Sequence, residues 1–112
     1  MPDSDFTRYA DMFTALGAEP RLRIIRALLS AHPQGLVVGE IQAELGIPGS
    51  TLSHHLERLK HEGLLVVERK GTYLRYRANS DVLRELLAFL LEECCSRSTA
   101  VCAEELLACC KV

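Results

Sequence analysis

The first 93 residues of this 112-residue chain contain no cysteine, and nowhere does it show a glycine-rich phosphate loop, an HExxH or a GxSxG pattern. Those absences exclude the commonest phosphate-cradling, zinc-protease and serine-hydrolase chemistries. A chain of this length holds one core and no elaborate catalytic cleft, so an enzyme is not expected. The longest uninterrupted apolar run, Leu86 to Leu91, is far below the ~18 residues of a membrane span. Met1-Pro2-Asp3-Ser4-Asp5 has no basic segment of the kind that opens a signal peptide. The expectation is a cytoplasmic protein with no membrane partner. Repeats and low-complexity tracts are also missing, and no linker interrupts the chain before Ser96-Arg97-Ser98-Thr99.

A strong basic excess is lacking too, the formal net charge being -2, but the charge is unevenly placed. Residues 50 to 77 hold six Lys/Arg (Arg58, Lys60, Arg69, Lys70, Arg75, Arg77) against three Glu, and residues 78 to 112 hold three against six Asp/Glu. One basic face on an otherwise acidic protein fits DNA binding through a single surface.

The hydrophobic spacing resolves into helices and one hairpin. Phe6, Tyr9, Met12, Phe13 and Leu16 predict a helix over Ser4 to Leu16, stopped by Gly17. Pro20 suits a first helical position, and Leu22, Ile25, Leu28 and Leu29 continue a second helix to the Pro33-Gly35 break. Gly39 to Leu45 reads as a short third helix closed by Gly46, and Gly46-Ile47-Pro48-Gly49 as a tight turn into a fourth. In that fourth helix Leu52, Leu56 and Leu59 face the core with His55 beside them. Ser50, Thr51, Ser53, His54 and Arg58 spread over the outer faces, where small hydroxyls, a histidine and an arginine suit entry into a major groove. Leu64 to Val67 and Tyr73 to Arg77 read as strands around Arg69-Lys70-Gly71-Thr72, a basic hairpin that makes a wing. A last helix begins near Ser80, whose hydroxyl is expected to cap it, and is apolar on more than one face through Leu91. One small domain covers one such stripe, so the other, with the first helix, is expected to pair with a second subunit. The fold class is therefore mainly α with a β-hairpin wing: a winged helix-turn-helix dimerising through its first and last helices. A symmetric dimer presents two reading helices to double-stranded operator DNA carrying an inverted repeat.

From Gly17 to Ala78 the chain resembles the ArsR/SmtB family of metal-sensing repressors. The likeness rests on Ala15-Leu16-Gly17, Pro20-Arg21-Leu22-Arg23-Ile24-Ile25, Ser53-His54-His55-Leu56 and Glu68-Arg69-Lys70-Gly71-Thr72. It implies a dimeric repressor that blocks transcription until an inducer binds, with Ser53 and His54 touching DNA and Ser50 and Thr51 nearby. Arg69, Lys70 and Arg75 would meet the backbone or minor groove. Two family ligand patterns are missing: Val37-Val38-Gly39 stands where the longest-known arsenic repressors have Cys-Val-Cys, and residues 80 to 93 contain no histidine. Pro48 and Gly49 stand where the family commonly has a polar cap and a long polar side chain. What remains is Cys94, Cys95 and Cys102, similar to family members with an arsenite site near the C-terminus.

The thiol chemistry points the same way. Five cysteines fall in the last nineteen residues, two pairs of them vicinal, Cys94-Cys95 and Cys109-Cys110. In a reducing compartment such a segment is metal-binding or redox-active rather than a disulfide scaffold. Three sulfurs with no nitrogen or oxygen partner suit pyramidal As(III) or Sb(III), whereas zinc usually takes four ligands. On an unbroken helix Cys95 and Cys102 would lie about 10 Å apart, too far to share an ion. The helix is therefore expected to end near Cys95 and the chain to turn back, giving one ion per subunit. If it continued, Cys95, Cys102 and Cys109 would form a seven-residue stripe like a helix seam. The expected organisation is a domain over 1–95 and a cysteine-rich tail over 96–112, with Cys109 and Cys110 as accessory thiols. No organic cofactor is expected. Rival readings are a repressor switched by a disulfide between Cys94 or Cys95 and Cys102, and a sensor of Cd(II), Pb(II), Cu(I) or a methylated arsenical.

Overall fold

The computed structural model describes residues 3–97, so Cys102, Cys109 and Cys110 lie outside the described residues. The elements run α1 (Asp3–Leu16), α2 (Glu19–Ser30), β1 (Leu36–Val37), α3 (Val38–Leu45), α4 (Gly49–His61), β2 (Leu65–Lys70), β3 (Tyr73–Ala78) and α5 (Ser80–Leu91). Among the described residues no helix is long and apolar enough to cross a membrane.

The predicted periodicity becomes one core. Met12 and Ala15 of α1, Ile24, Ile25 and Leu28 of α2, Ile41 of α3, and Leu52, Leu56 and Leu59 of α4 are all buried, joined by Leu64, Leu65, Ala78 and Leu86. Burying each Leu or Ile removes apolar surface worth roughly 1.5–3 kcal/mol. The stripe on α4 thus pins one side of that helix and leaves the opposite side to solvent. The turn into α4 follows from Gly46, whose φ of 66° places it in the left-handed region and whose N–H reaches the Gln42 carbonyl at 2.8 Å. At its far end α4 closes on Gly63, at φ 77°, with Gly63 N–H to Lys60 O at 3.0 Å and Leu64 N–H to Leu59 O at 3.0 Å. That double bond pattern is a Schellman close, and it drops Leu64 into the core beside Leu59.

The three strands are antiparallel in the order β1-β3-β2. β2 and β3 pair from Leu65 with Ala78 to Lys70 with Tyr73, so only Gly71-Thr72 forms the turn. Arg69 and Lys70, expected at the tip, stand in the ladder instead, because a two-residue turn with positive φ at its first position (Gly71, φ 63°) lets the strands run longer. The two-residue strand β1, unforeseen in the sequence, pairs Leu36 with Tyr76 and Val37 with Arg75. Its approach depends on Gly35, where a Cβ would lie 2.1 Å from the Tyr76 carbonyl oxygen.

One expectation about α5 is corrected. Its cap is Asn79 and not Ser80: the side-chain Oδ1 of Asn79 accepts from Val82 N–H at 3.3 Å, while its side-chain Nδ2 donates to Gly63 O at 3.1 Å. Residue 79 can hold both the helix start and the end of α4, which a serine one position later could not. The helix stops at Leu91 and residues 92–97 turn, in line with the expected end near Cys95. Cys95 sits at φ 61°, which excludes the continuous helical stripe through Cys95.

Candidate nucleic-acid interface and vicinal thiol pair

Helix α4 presents its polar residues as the spacing requires. Ser50, Thr51, Ser53 and His54 are exposed and Arg58 is half-buried, on the helix whose other side carries Leu52, Leu56 and Leu59. Pro48 precedes the helix and supplies no side-chain cap, consistent with the loss of a polar group at that position. Arg58, Lys60 and His61 fall in the last turn, where positive charge complements the helix dipole.

On the wing, Arg69 and Lys70 are exposed, with Lys70 Nζ 3.8 Å from the Glu68 carboxylate. Arg75 is placed differently from the other cations. It is half-buried, and its guanidinium donates to Gly35 O at 3.0 Å and Gln34 O at 3.4 Å, so part of its hydrogen-bonding capacity fastens the α2–β1 loop to β3. Lys70, Arg75 and Arg77 line an open groove of about 460 Å³ with Glu68, Pro33 and Gln34. Arg77 belongs to this basic surface through the alternation of β3, the signal that sequence reading left unused.

His55 lies between the two sides of α4, half-buried, its Nδ1 3.3 Å from an Arg21 guanidinium nitrogen. Burial first, then the neighbouring Arg21 and His54 charges, holds its pKa below the ordinary histidine value. Arg21 also donates from Nε to the Ala15 carbonyl at 2.6 Å. Sequence reasoning missed this contact, since nothing local connects positions 21 and 55.

The second region is the end of α5. Cys94 N–H reaches Leu91 O at 2.8 Å and Ser96 N–H reaches Glu93 O at 3.2 Å, so the chain turns at once after the helix. The left-handed Cys95 swings its side chain beside its neighbour, and the two sulfurs lie 3.3 Å apart, both half-buried. A disulfide would require about 2.05 Å, so both residues are thiols. Cys95 also opens onto a cavity of about 490 Å³ lined by Glu93, Ser96 and Arg97. Among the described residues no three His, Cys, Asp or Glu gather into a metal-binding group. Two of the three expected thiols are thus brought together, and the third, Cys102, lies outside the described residues.

Helices α1 and α5 lie side by side. Phe89 stacks on Tyr9 at 4.3 Å between ring centroids and meets Phe6 edge-on at 5.2 Å, and Arg8 lies 3.8 Å from Glu85. Along this pair Phe6, Phe13, Leu87 and Leu90 remain exposed, Leu90 at 59%.

Comparison with known proteins agrees with this architecture. A family model described as a helix-turn-helix domain matches residues 13–68. The chain is 32% identical over 87 residues to the uncharacterized HTH-type transcriptional regulator MJ1325 of Methanocaldococcus jannaschii, covering 78% of this chain and 96% of that protein. Among solved structures it is similar to the homodimeric winged helix-turn-helix DNA-binding domain Mb0332 of Mycobacterium bovis, a possible ArsR-family transcriptional regulator. There the TM-score is 0.65 at 26% identity, over 88% of this chain and 92% of that one. An ArsR-like transcriptional regulator from Rhodococcus sp. RHA1 shares the fold with a TM-score of 0.67 at 24% identity, over 78% and 79% of the two chains. With the family model spanning half its length and the winged fold continuous around it, this chain belongs to the ArsR-like helix-turn-helix transcriptional regulators.

Proposed function

We propose that this regulator is a homodimeric repressor that binds an inverted-repeat operator and releases it when As(III), or Sb(III), is held by Cys94, Cys95 and Cys102. The observation that carries the reading is the 3.3 Å separation of the Cys94 and Cys95 sulfurs. At a metal–sulfur distance of about 2.3 Å, that separation subtends about 92° at the ion, whereas a tetrahedral ion would need sulfurs about 3.8 Å apart. Sulfurs this close can share one small ion with little movement, and three thiolates without a nitrogen or oxygen partner suit As(III) or Sb(III) over Zn(II), which usually takes four ligands. Cys102 would complete the set by folding back over the turn.

Dimerisation follows from the exposed stripe. Phe6, Phe13, Leu87 and Leu90 line the α1–α5 pair, and the M. bovis relative is described as homodimeric. Each is still 37–59% exposed and stands to gain the corresponding part of the roughly 1.5–3 kcal/mol that full burial is worth. The thiol pair sits three residues beyond the end of that helix, so drawing its sulfurs around one ion reorganises the edge of the dimer contact. Two half-sites need their reading helices about 34 Å apart. A coupling of roughly 1–3 kcal/mol weakens DNA binding about 5- to 150-fold.

Fluorescence anisotropy of a labelled operator duplex, titrated with arsenite, antimonite, cadmium, zinc and a mild oxidant in turn, tests the reading. Release by arsenite and antimonite at low concentration is the expected result. Release only by the oxidant would replace it with the redox reading, in which a Cys94 or Cys95 disulfide with Cys102 is the switch.

A further inference from the structure

Arg21, in the first turn of α2, joins three helices through one guanidinium. Its Nε donates to the carbonyl of Ala15 in the last turn of α1, and an Nη lies 3.3 Å from His55 Nδ1 in the middle of α4. The Ala15 carbonyl is among the last four of its helix and has no partner within it. Guanidinium has donors only, so His55 Nδ1 must be the acceptor, which fixes the ring as neutral with its proton on Nε2. The lowered pKa of His55 agrees with that tautomer.

Leu52, Leu56 and Leu59 hold α4 in the core and set which side faces inward, but apolar contact is non-directional and fixes rotation about the helix axis only coarsely. Rotation matters here. On a helix about 5 Å in radius, a 10° turn carries the outer side chains sideways by about 0.9 Å. That displacement is enough to spoil hydrogen bonds whose useful distances span only about 0.5 Å. A directional bond to the side of α4 sharpens the orientation that the leucines set.

We infer that Arg21 and His55 are positioning residues for DNA reading: the guanidinium locks the rotation of α4 against the end of α1, and His55 serves Arg21 and not DNA. This rests on α4 being the reading helix. It assigns opposite roles to two neighbouring histidines, since His54 points to solvent among the candidate DNA contacts and His55 turns inward to the lock.

The test uses the full chain and a duplex it selects from a random DNA pool. Affinity is measured over a range of salt concentrations for Arg21→Met, Arg21→Lys, His55→Leu, His55→Asn and the Arg21→Met/His55→Leu double variant. Circular dichroism and melting show which variants are folded. Arg21→Met and His55→Leu should each weaken binding about tenfold, the scale of one hydrogen bond to a charged group. The double variant should be no weaker than either single one. Arg21→Lys keeps the charge but cannot span both partners, so it should weaken binding as well, and it keeps the test open if Arg21→Met does not fold. His55→Asn, whose amide oxygen can take the place of Nδ1, should retain most of the affinity. In every case the salt slope should stay at the wild-type value. A slope smaller by about one per variant would mean a direct phosphate contact and overturn the inference. Losses that multiply in the double variant, or no loss at all, would overturn it equally. A wild-type protein that selects no duplex would refute the reading of α4 itself, an outcome distinct from variants that behave like wild type on a duplex it does bind.

Discussion

The reversals at the end of α4 and before β1 are each held several times over. The end of α4 has its two Schellman bonds, the Asn79 amide on Gly63 O and the burial of Leu64, and Gly35 is pressed against β3 under the Arg75 guanidinium. Beyond Leu91 the turn rests on short-range backbone bonds and one residue in the left-handed region, with two thiols meeting at its surface. The helix-turn-helix model matches residues 13–68 and so stops well before the cysteines. The contrast separates two tasks. On the function proposed above, the over-determined frame presents one helix in one orientation, and the turn beyond Leu91 is where the ion would be held. On that same proposal, the capacity to face DNA belongs to the first region and its release to the second.

The sharpest break in the frame is Leu59→Ala. This fully buried residue lies where α4 meets Leu64, and the cavity should cost about 2–5 kcal/mol in denaturant unfolding and abolish DNA binding with it. Next comes the join between the two regions. Leu87→Glu with Leu90→Glu should leave far-UV circular dichroism intact while converting a dimer to a monomer in sedimentation equilibrium; a persisting dimer would move the interface away from α5. Asn79→Ala removes a cap and its bond to Gly63, and should lower stability by about 1 kcal/mol in the same unfolding assay. A smaller effect follows from His55. Its folded-state pKa lies below the ordinary value, so the folded state holds fewer protons than the unfolded one, and its stabilising contribution is present above pH 6.5 and lost as pH falls through the lowered pKa. Melting followed from pH 7 to pH 5 should therefore show a part of the acid destabilisation that disappears in His55→Asn.

Much of the frame was legible because it is periodic. The leucine stripe of α4, the Gly46 turn and the span of α5 follow from helical spacing and one left-handed glycine. What escaped depends on contacts between distant positions or on a single dihedral angle. β1 is too short to show alternation and exists only as a partner of Tyr76 and Arg75. Asn79 outcompetes Ser80 as a cap because it can also reach Gly63, sixteen residues away in sequence. The Arg21–His55 bond spans 34 positions. At the thiol turn, residue types suggested a soft-ion site, but the meeting of adjacent sulfurs rests on the φ of Cys95, which composition does not encode.

The division of labour is tested most directly by arsenite titration of the DNA complex of the wild-type protein beside the Cys94→Ser/Cys95→Ser variant. Equal affinity for the duplex is expected without arsenite, and release of the wild type alone when arsenite is added. Release of both proteins at the same arsenite concentration would contradict it, by showing that the switch does not lie in the vicinal thiols.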